Sequence, residues 1–434
     1  NTISLLDNTI NLGTNRSITL RTRNASGDPS GTGGIDLTTG LVGSAFGIVA
    51  SGSGWVTLDA GYGSSPQTAN ITTGYLETAG GNITLRSYSG FTRVNNTVSS
   101  NGGAIYATAA TDLELYHPLV SSNGDISLTG QNVLMLSGSS RGNVNAGTGV
   151  VQITAGDRFG VGYDTTLTAS AATMSVNRLN LDTSTGLINT SSVLTIAPLS
   201  APRAIQIGGN DDSPGTILGI TAAELARISS PQINIGSVGV TGNLTVTEAL
   251  NRAGQTVVLA TQGTISQTAA ITVGYLGAHG NGGVTLNNVG NTVGTFAGRS
   301  DSGSLLFINS GNFNLGGVSY LSKTSAGGSD LTLSINSGGG MLTLTHDIET
   351  NGGNIWLVAP KVRVDAPLVQ VKSNSDGVGT GGTIYFNSGT VSANGSGRKL
   401  TVDSSSSNAN AANINLGVVG NGGDGDYLNR LTVN

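Results

Sequence analysis

Acidic pairs are the first residues in this sequence that could do chemistry. Asp211 and Asp212 stand side by side in a Gly/Pro-rich stretch, and Asp424 and Asp426 alternate with glycine in Asn421-Gly422-Gly423-Asp424-Gly425-Asp426. Cleaving a polysaccharide takes two or three carboxylates, often with Ca²⁺ or a basic residue, converging on one groove. The acids here are sparse, and both pairs fall in turn sequences, where short carboxylates are ordinarily solvated. A surface Ca²⁺ contact is the other use such pairs could have.

The remaining reactive types are thinner still. His117, His279 and His346 lie far apart, with no ligand partners at short spacing, so no metal site is local in sequence. Cysteine is absent, which excludes thiolate chemistry and disulfide stapling. No Gly-x-Ser-x-Gly elbow leads into a helix, and no Gly-Lys-Ser/Thr follows the glycine-rich phrases. Catalytic residues, cofactors and metals are therefore not expected. Aromatic side chains remain: Trp356 and Tyr385, with Tyr106, could stack on sugar rings, or they could simply pack on a sheet surface. Trp356 and Tyr385 are the candidate glycan contacts.

The elements that would carry these residues follow from composition. Of 434 residues, 68 are glycine, 10% are charged and 4% aromatic. That glycine share is well above the usual ~7%. Glycine follows no three-residue period, so collagen is excluded, and the richness in Gly, Asn, Ser and Thr disfavours helical globules. A net charge of −5 offers no basic stripe for nucleic acid. No run approaches the roughly 20 apolar residues of a membrane helix, so membrane insertion is not expected.

Repetition is the dominant signal. A glycine turn followed by an apolar-polar-apolar triplet recurs as Gly81-Asn82-Ile83-Thr84-Leu85, Asn123-Gly124-Asp125-Ile126-Ser127-Leu128, Gly283-Val284-Thr285-Leu286 and Gly353-Asn354-Ile355-Trp356-Leu357. Val98-Ser99-Ser100-Asn101-Gly102 returns as Val120-Ser121-Ser122-Asn123-Gly124, a shift of 22 residues. Ile71 to Leu76 is echoed by Ile271 to Leu276, and Leu113 to Leu119, with His117, by Leu342 to Ile348, with His346. Alternation places Ile, Val or Leu on one face and Thr, Ser, Asp or Asn on the other. A short strand cannot bury that apolar face alone, so coil must stack on coil. The pattern predicts an all-β parallel β-helix, a β-solenoid of about 22 residues per coil, continuous over 1–434. One interruption is expected at 197–231, rich in proline. There the capping pattern Thr221-Ala222-Ala223-Glu224 predicts a short helix near 221–228. Asn24–Gly33 and Ser404–Ala412 read as loops.

Several phrases resemble the repeat regions of filamentous haemagglutinin-like exoproteins, the secreted partners of two-partner secretion systems in Gram-negative bacteria. They include Leu225-Ala226-Arg227-Ile228, Ile233-Asn234-Ile235-Gly236, Gly242-Asn243-Leu244-Thr245-Val246, Gly263-Thr264-Ile265-Ser266-Gln267 and Phe313-Asn314-Leu315-Gly316, and are clearest from Ile217 to Leu357. The resemblance implies a right-handed β-helix, export through an outer-membrane transporter, and an extracellular or cell-surface place. It also implies work in adhesion, biofilm or competition, and it transfers no catalytic residues.

Strand-like Ile10-Asn11-Leu12 and Leu431-Thr432-Val433 stand near the two ends without polar caps. This leads to the expectation of continuation in a longer rod or end-to-end self-association into a fibre. A structural or adhesive role without catalysis is the first expectation. A carbohydrate-active β-helix enzyme and a glycan-binding adhesin are the alternatives.

Overall fold

The computed structural model describes residues 3–4, 9–23, 33–38, 47–62, 68–137, 140–182, 185–209, 215–377, 379–405, 412–420 and 428–434. The acidic pairs Asp211/Asp212 and Asp424/Asp426, and most of the two expected loops at 24–33 and 404–412, lie outside them. Within the described residues the chain is a parallel β-solenoid, its regular elements all strands apart from one short helix. It divides into two compact units, Asn1–Ser200 with Ala223–Pro231, and Ala201–Ala222 with Gln232–Asn434.

In the first unit each coil contributes a strand to each of three parallel ladders. Ile83, Ile105 and Ile126 stack in one, Leu76, Val98 and Leu119 in the next, and Ile71, Thr92 and Leu113 in the third. All nine side chains are buried. Their neighbours alternate outward, as Tyr106 does between Ile105 and Ala107. Coil length is not constant: Leu119 pairs with Val98, 21 residues earlier, and with Val144, 25 residues later.

The pairing of Val98 with Leu119 shows that the literal phrase repeat is one residue off the true register. Val98 and Val120 match as letters, but Val120 sits opposite Ser99. Moving a strand by one residue sends every side chain to the opposite face. Burial therefore selects Leu119 over Val120 as the structural successor of Val98. The turn that follows keeps its length, seven residues from Val98 to Ile105 and from Leu119 to Ile126, so Ser122 and Asn123 take the places of Asn101 and Gly102, all at positive φ (51° and 93°, against 46° and 115°).

Two features fix the corner that precedes the ladder of Ile83, Ile105 and Ile126. A buried hydroxyl closes each turn: Thr78 and Ser121 donate to the carbonyls of Gly81 and Gly124 at 2.5 Å, and Ser100 donates likewise to Gly103. The closing glycines then stack with almost no clearance. A Cβ on Gly103 would stand 2.2 Å from the carbonyl oxygen of Gly81, and one on Gly124 would stand 2.1 Å from that of Gly103. Just beyond, Asn82 and Asp125 accept the backbone N–H of Ala104 and Val150 in the next coil, at 2.9 and 2.8 Å. The recurrent Gly-Asn/Asp-Ile phrase is thus a corner, a rung between coils and a core residue in succession.

The second unit repeats the scheme with Leu244, Ile265, Val284, Leu305, Leu331, Ile355 and Ile384 in one ladder. Thr350 donates to Gly353 at 2.5 Å, as Ser121 does to Gly124 in the first unit. Its core holds a stacked pair, Phe296 on Phe307, with ring centroids 4.0 Å apart. Within 197–231, strands Ala204–Ile207 and Ile217–Ile220 pair in parallel, and Ile228–Ser229 pairs with Ile188 and Asn189 of its own unit. The expected helix spans Ala222–Leu225. One turn is too short to be stable alone; the buried Glu224 carboxylate anchors it by accepting the N–H of Leu181 at 3.2 Å.

Replacing Gly124 by alanine forces a methyl group into a backbone carbonyl. Global stability in a denaturant titration is expected to fall by about 1–3 kcal/mol, the usual cost of overpacking. Gly13→Ala, whose Cβ would meet only the flexible Arg16 side chain at 3.7 Å, is expected to stay within about 0.5 kcal/mol of the parent. Equal midpoints for the two variants would remove the steric account of the corner.

Candidate functional site

Trp356 and Tyr385 fall on neighbouring coils of the second unit, paired in register within the strands Ile355–Val364 and Ile384–Ala393. Each is flanked along its strand by core residues, Ile355 and Leu357 for Trp356, Ile384 and Phe386 for Tyr385. Period-two alternation therefore turns both half-buried rings outward. The outward row runs Thr332, Trp356, Tyr385, Asn415. Adjacent parallel strands stand about 4.8 Å apart, so the two rings and their polar neighbours form one narrow strip. Tyr106 also points outward and is 44% exposed, but it belongs to the first unit.

A second constellation, His279 with Asp301, Arg299 and Tyr320, was not visible in the sequence as a group. The imidazole of His279 is 3.2 Å from Asp301 Oδ2 through Nε2 and 3.2 Å from the Tyr320 hydroxyl through Nδ1. Arg299 donates to the other Asp301 oxygen at 2.6 Å. Although burial opposes ionisation of Asp301, the hydrogen bonds from Arg299 and His279 outweigh it and hold the carboxyl below its ordinary range. Partial burial pushes the Tyr320 phenol up. A phenol held in its protonated form donates a hydrogen bond and makes a poor nucleophile.

The mechanical role of this group is plain from its surroundings. Val318 and Leu321 close a tight turn through an antiparallel bridge and pack with Val258 and Ala297 in a buried apolar cluster. Tyr320 lies in that turn, so its bond to His279 pins the turn to the outer face of the strand Ile271–Gly280. One signal could have pointed there. Gly277 lies in the strand where a Cβ would meet Val258 at 3.3 Å and Val318 and Leu321 at 3.4 Å.

The other two histidines occupy corresponding corners of different units, as their echoed sequences suggest. His117 lies between Asp112–Leu115 and Leu119–Val120, and His346 between Met341–Leu344 and Ile348–Thr350. His346 Nε2 is 3.0 Å from the Thr324 hydroxyl, and its Nδ1 is buried with no partner. Burial lowers both imidazoles, that of His346 to about 4. Among the described residues, no group of three or more His, Asp or Glu side chains is placed to hold a metal ion.

The depressed His346 imidazole makes stability pH-dependent in a defined direction. Folded, it stays neutral down to about pH 4; unfolded, it takes up a proton near pH 6.5. Between those values the unfolded chain binds more protons, so this contribution is intact above about pH 6.5 and is lost as pH falls toward about 4. The loss is no more than about 3 kcal/mol. Denaturant titrations at several pH values are expected to show a shallower decline for His346→Gln than for the parent; identical slopes would assign the decline to other groups. No family model matches the chain, and neither the curated proteins nor the solved structures contain a match to it.

Proposed function

We propose that this chain is a structural and adhesive segment of a bacterial exoprotein, held outside the cell as a stiff β-solenoid spacer that contacts surfaces through its outward rows. The observation that carries this reading is the division of labour within each coil. Inward positions form continuous apolar columns, and corners are fixed by backbone contact. Outward side chains are left to solvation and to single bonds between neighbouring coils, such as those of Asn82 and Asp125. A stiff scaffold with a freely variable surface suits display. The constellation most suggestive of acid–base chemistry, His279 with Asp301 and Tyr320, is committed to holding a turn. Export through an outer-membrane transporter belongs to the same proposal and rests on the phrases that resemble haemagglutinin-like repeats.

The Trp356–Tyr385 strip is the proposed sugar-facing element of the second unit. The alternative of a carbohydrate-active enzyme has no observation in its favour among the described residues. Beads coated with the full chain are expected to be retained on an immobilised neutral glycan panel. Replacing Trp356 and Tyr385 together by alanine is expected to weaken retention about three- to tenfold while the circular dichroism spectrum stays the same. Retention unaffected by the double change would remove the strip from the proposal. Turnover of any glycan by the parent chain would overturn the non-catalytic reading. Electron micrographs at high protein concentration test end-to-end association directly, since stacking copies would give filaments that lengthen with concentration.

A further inference from the structure

We propose that one corner of the first unit is a binding site for a carboxylate-bearing saccharide, a uronic-acid oligomer. Its parts come from three successive coils. The outward row reads Arg21, Asp59, Arg86 in register. Beside it, Tyr62 and Tyr88 follow the strands Val56–Ala60 and Ile83–Ser87, at the same corner of adjacent coils. Each tyrosine is locked to the coil before it, Tyr62 N–H to the Thr22 carbonyl at 2.9 Å and Tyr88 N–H to that of Ala60 at 3.0 Å.

The side chains converge. Arg21 lies over the Tyr62 ring, 4.2 Å from its centroid, and Arg23 is 5.6 Å from the same centroid. Tyr62 and Tyr88 meet edge to face with centroids 5.7 Å apart. Arg86 donates to the Tyr88 hydroxyl at 3.0 Å and lies 5.7 Å from the centre of its ring. The two tyrosines remain 38% and 40% exposed. Three guanidinium groups and two accessible rings thus share one corner of a chain that holds only 19 Lys and Arg and 10 Tyr.

Beneath them Asp59 is nearly sealed, its side chain 3% exposed. One of its oxygens accepts two bonds from Arg21, at 3.2 and 2.7 Å, and the other is buried with no partner. An unsatisfied buried carboxylate oxygen is a cost that packing alone does not explain. The other oxygen, Oδ2, fixes the Arg21 guanidinium in place before any ligand arrives, and preorganisation of that kind is what favours binding. Among the described residues, Arg23 and Arg86 have no carboxylate within ion-pair distance.

The chemistry that fits is specific. Guanidinium groups take carboxylates in paired hydrogen bonds, and tyrosine rings take the apolar face of a pyranose. A nucleic acid would need a longer basic track than one corner supplies. All six residues belong to the first unit, so the site does not depend on the Trp356–Tyr385 strip of the second.

Calorimetric titration of the full chain with hexagalacturonate at low ionic strength tests the site, with maltohexaose and dextran sulfate as the comparison ligands. Saturable hexagalacturonate binding that weakens with salt is expected, with maltohexaose inert. The exposed pair Arg23→Gln with Arg86→Gln should weaken it at least about tenfold, and Tyr88→Ala about threefold or more. Trp356→Ala should leave it unchanged, and melting temperatures should show all variants folded. Four outcomes would overturn the site: no saturable binding, equal binding of maltohexaose, arginine variants that bind like the parent, or binding of dextran sulfate alone.

Discussion

Close approach of backbone to backbone at the coil corners is the constraint on which the rest depends. Where Gly81, Gly103 and Gly124 pile up, the carbonyl of one coil occupies the space a side chain of the next would need. That contact sets the height of each turn, and the height sets whether strands meet at hydrogen-bonding distance. The buried hydroxyls of Thr78, Ser100 and Ser121 complete the corner by closing each turn onto its own glycine carbonyl. Buried carbonyls left unpaired would be expensive, so the hydroxyl and the glycine act together.

Once the corners are set, the remaining positions sort themselves by direction. Inward residues need only be apolar, which is why Leu, Ala, Ile and Met interchange along a column such as Leu85, Ala107, Leu128, Ile153 and Met174. Outward residues are tied mainly to their neighbours above and below. Asn243 accepts the N–H of Thr264 at 2.9 Å, and Asn354 that of Thr383 at 2.8 Å. Arg93 pairs with Glu114, and Arg178 with Asp157, each across one coil step. Half-buried pairs of this kind at the surface add little stability singly, so their identities can change without loss of the fold. A surface so weakly constrained can be adapted to contact, and that freedom links the architecture to the adhesive reading.

Polar groups that look reactive must be weighed against the same logic. His279 is nearly buried and bonded on both nitrogens, one to a carboxylate and one to a phenol. Such a chain of groups is found in catalytic centres, yet here it ends in a turn whose Val318 and Leu321 cover the outer face of the solenoid. The arginine and tyrosine corner differs because its rings stay accessible while its cation is fixed from below by Asp59. Accessibility joined to preorganisation distinguishes a surface able to bind from a network that only holds.

Much of the fold was legible because stacking imposes period-two alternation and a recurring turn, and both survive in the letters. The Gly-Asn-Ile phrase, the corner histidines of the two units and the short helix after Thr221 could all be read directly. Register could not. Val98 matches Val120 as text, whereas burial pairs it with Leu119, because the same letters fall one position later along a coil of otherwise equal segments, an offset that only packing reveals. The pairing of Trp356 with Tyr385 needed the three-dimensional ladder too, since residues 29 positions apart meet only when the intervening coil closes. The two polar clusters lay further out of reach. His279 and Tyr320, or Arg21 and Arg86, become neighbours through lateral stacking of successive coils, and a linear sequence carries the period of that stacking without stating which outward side chains it will bring together.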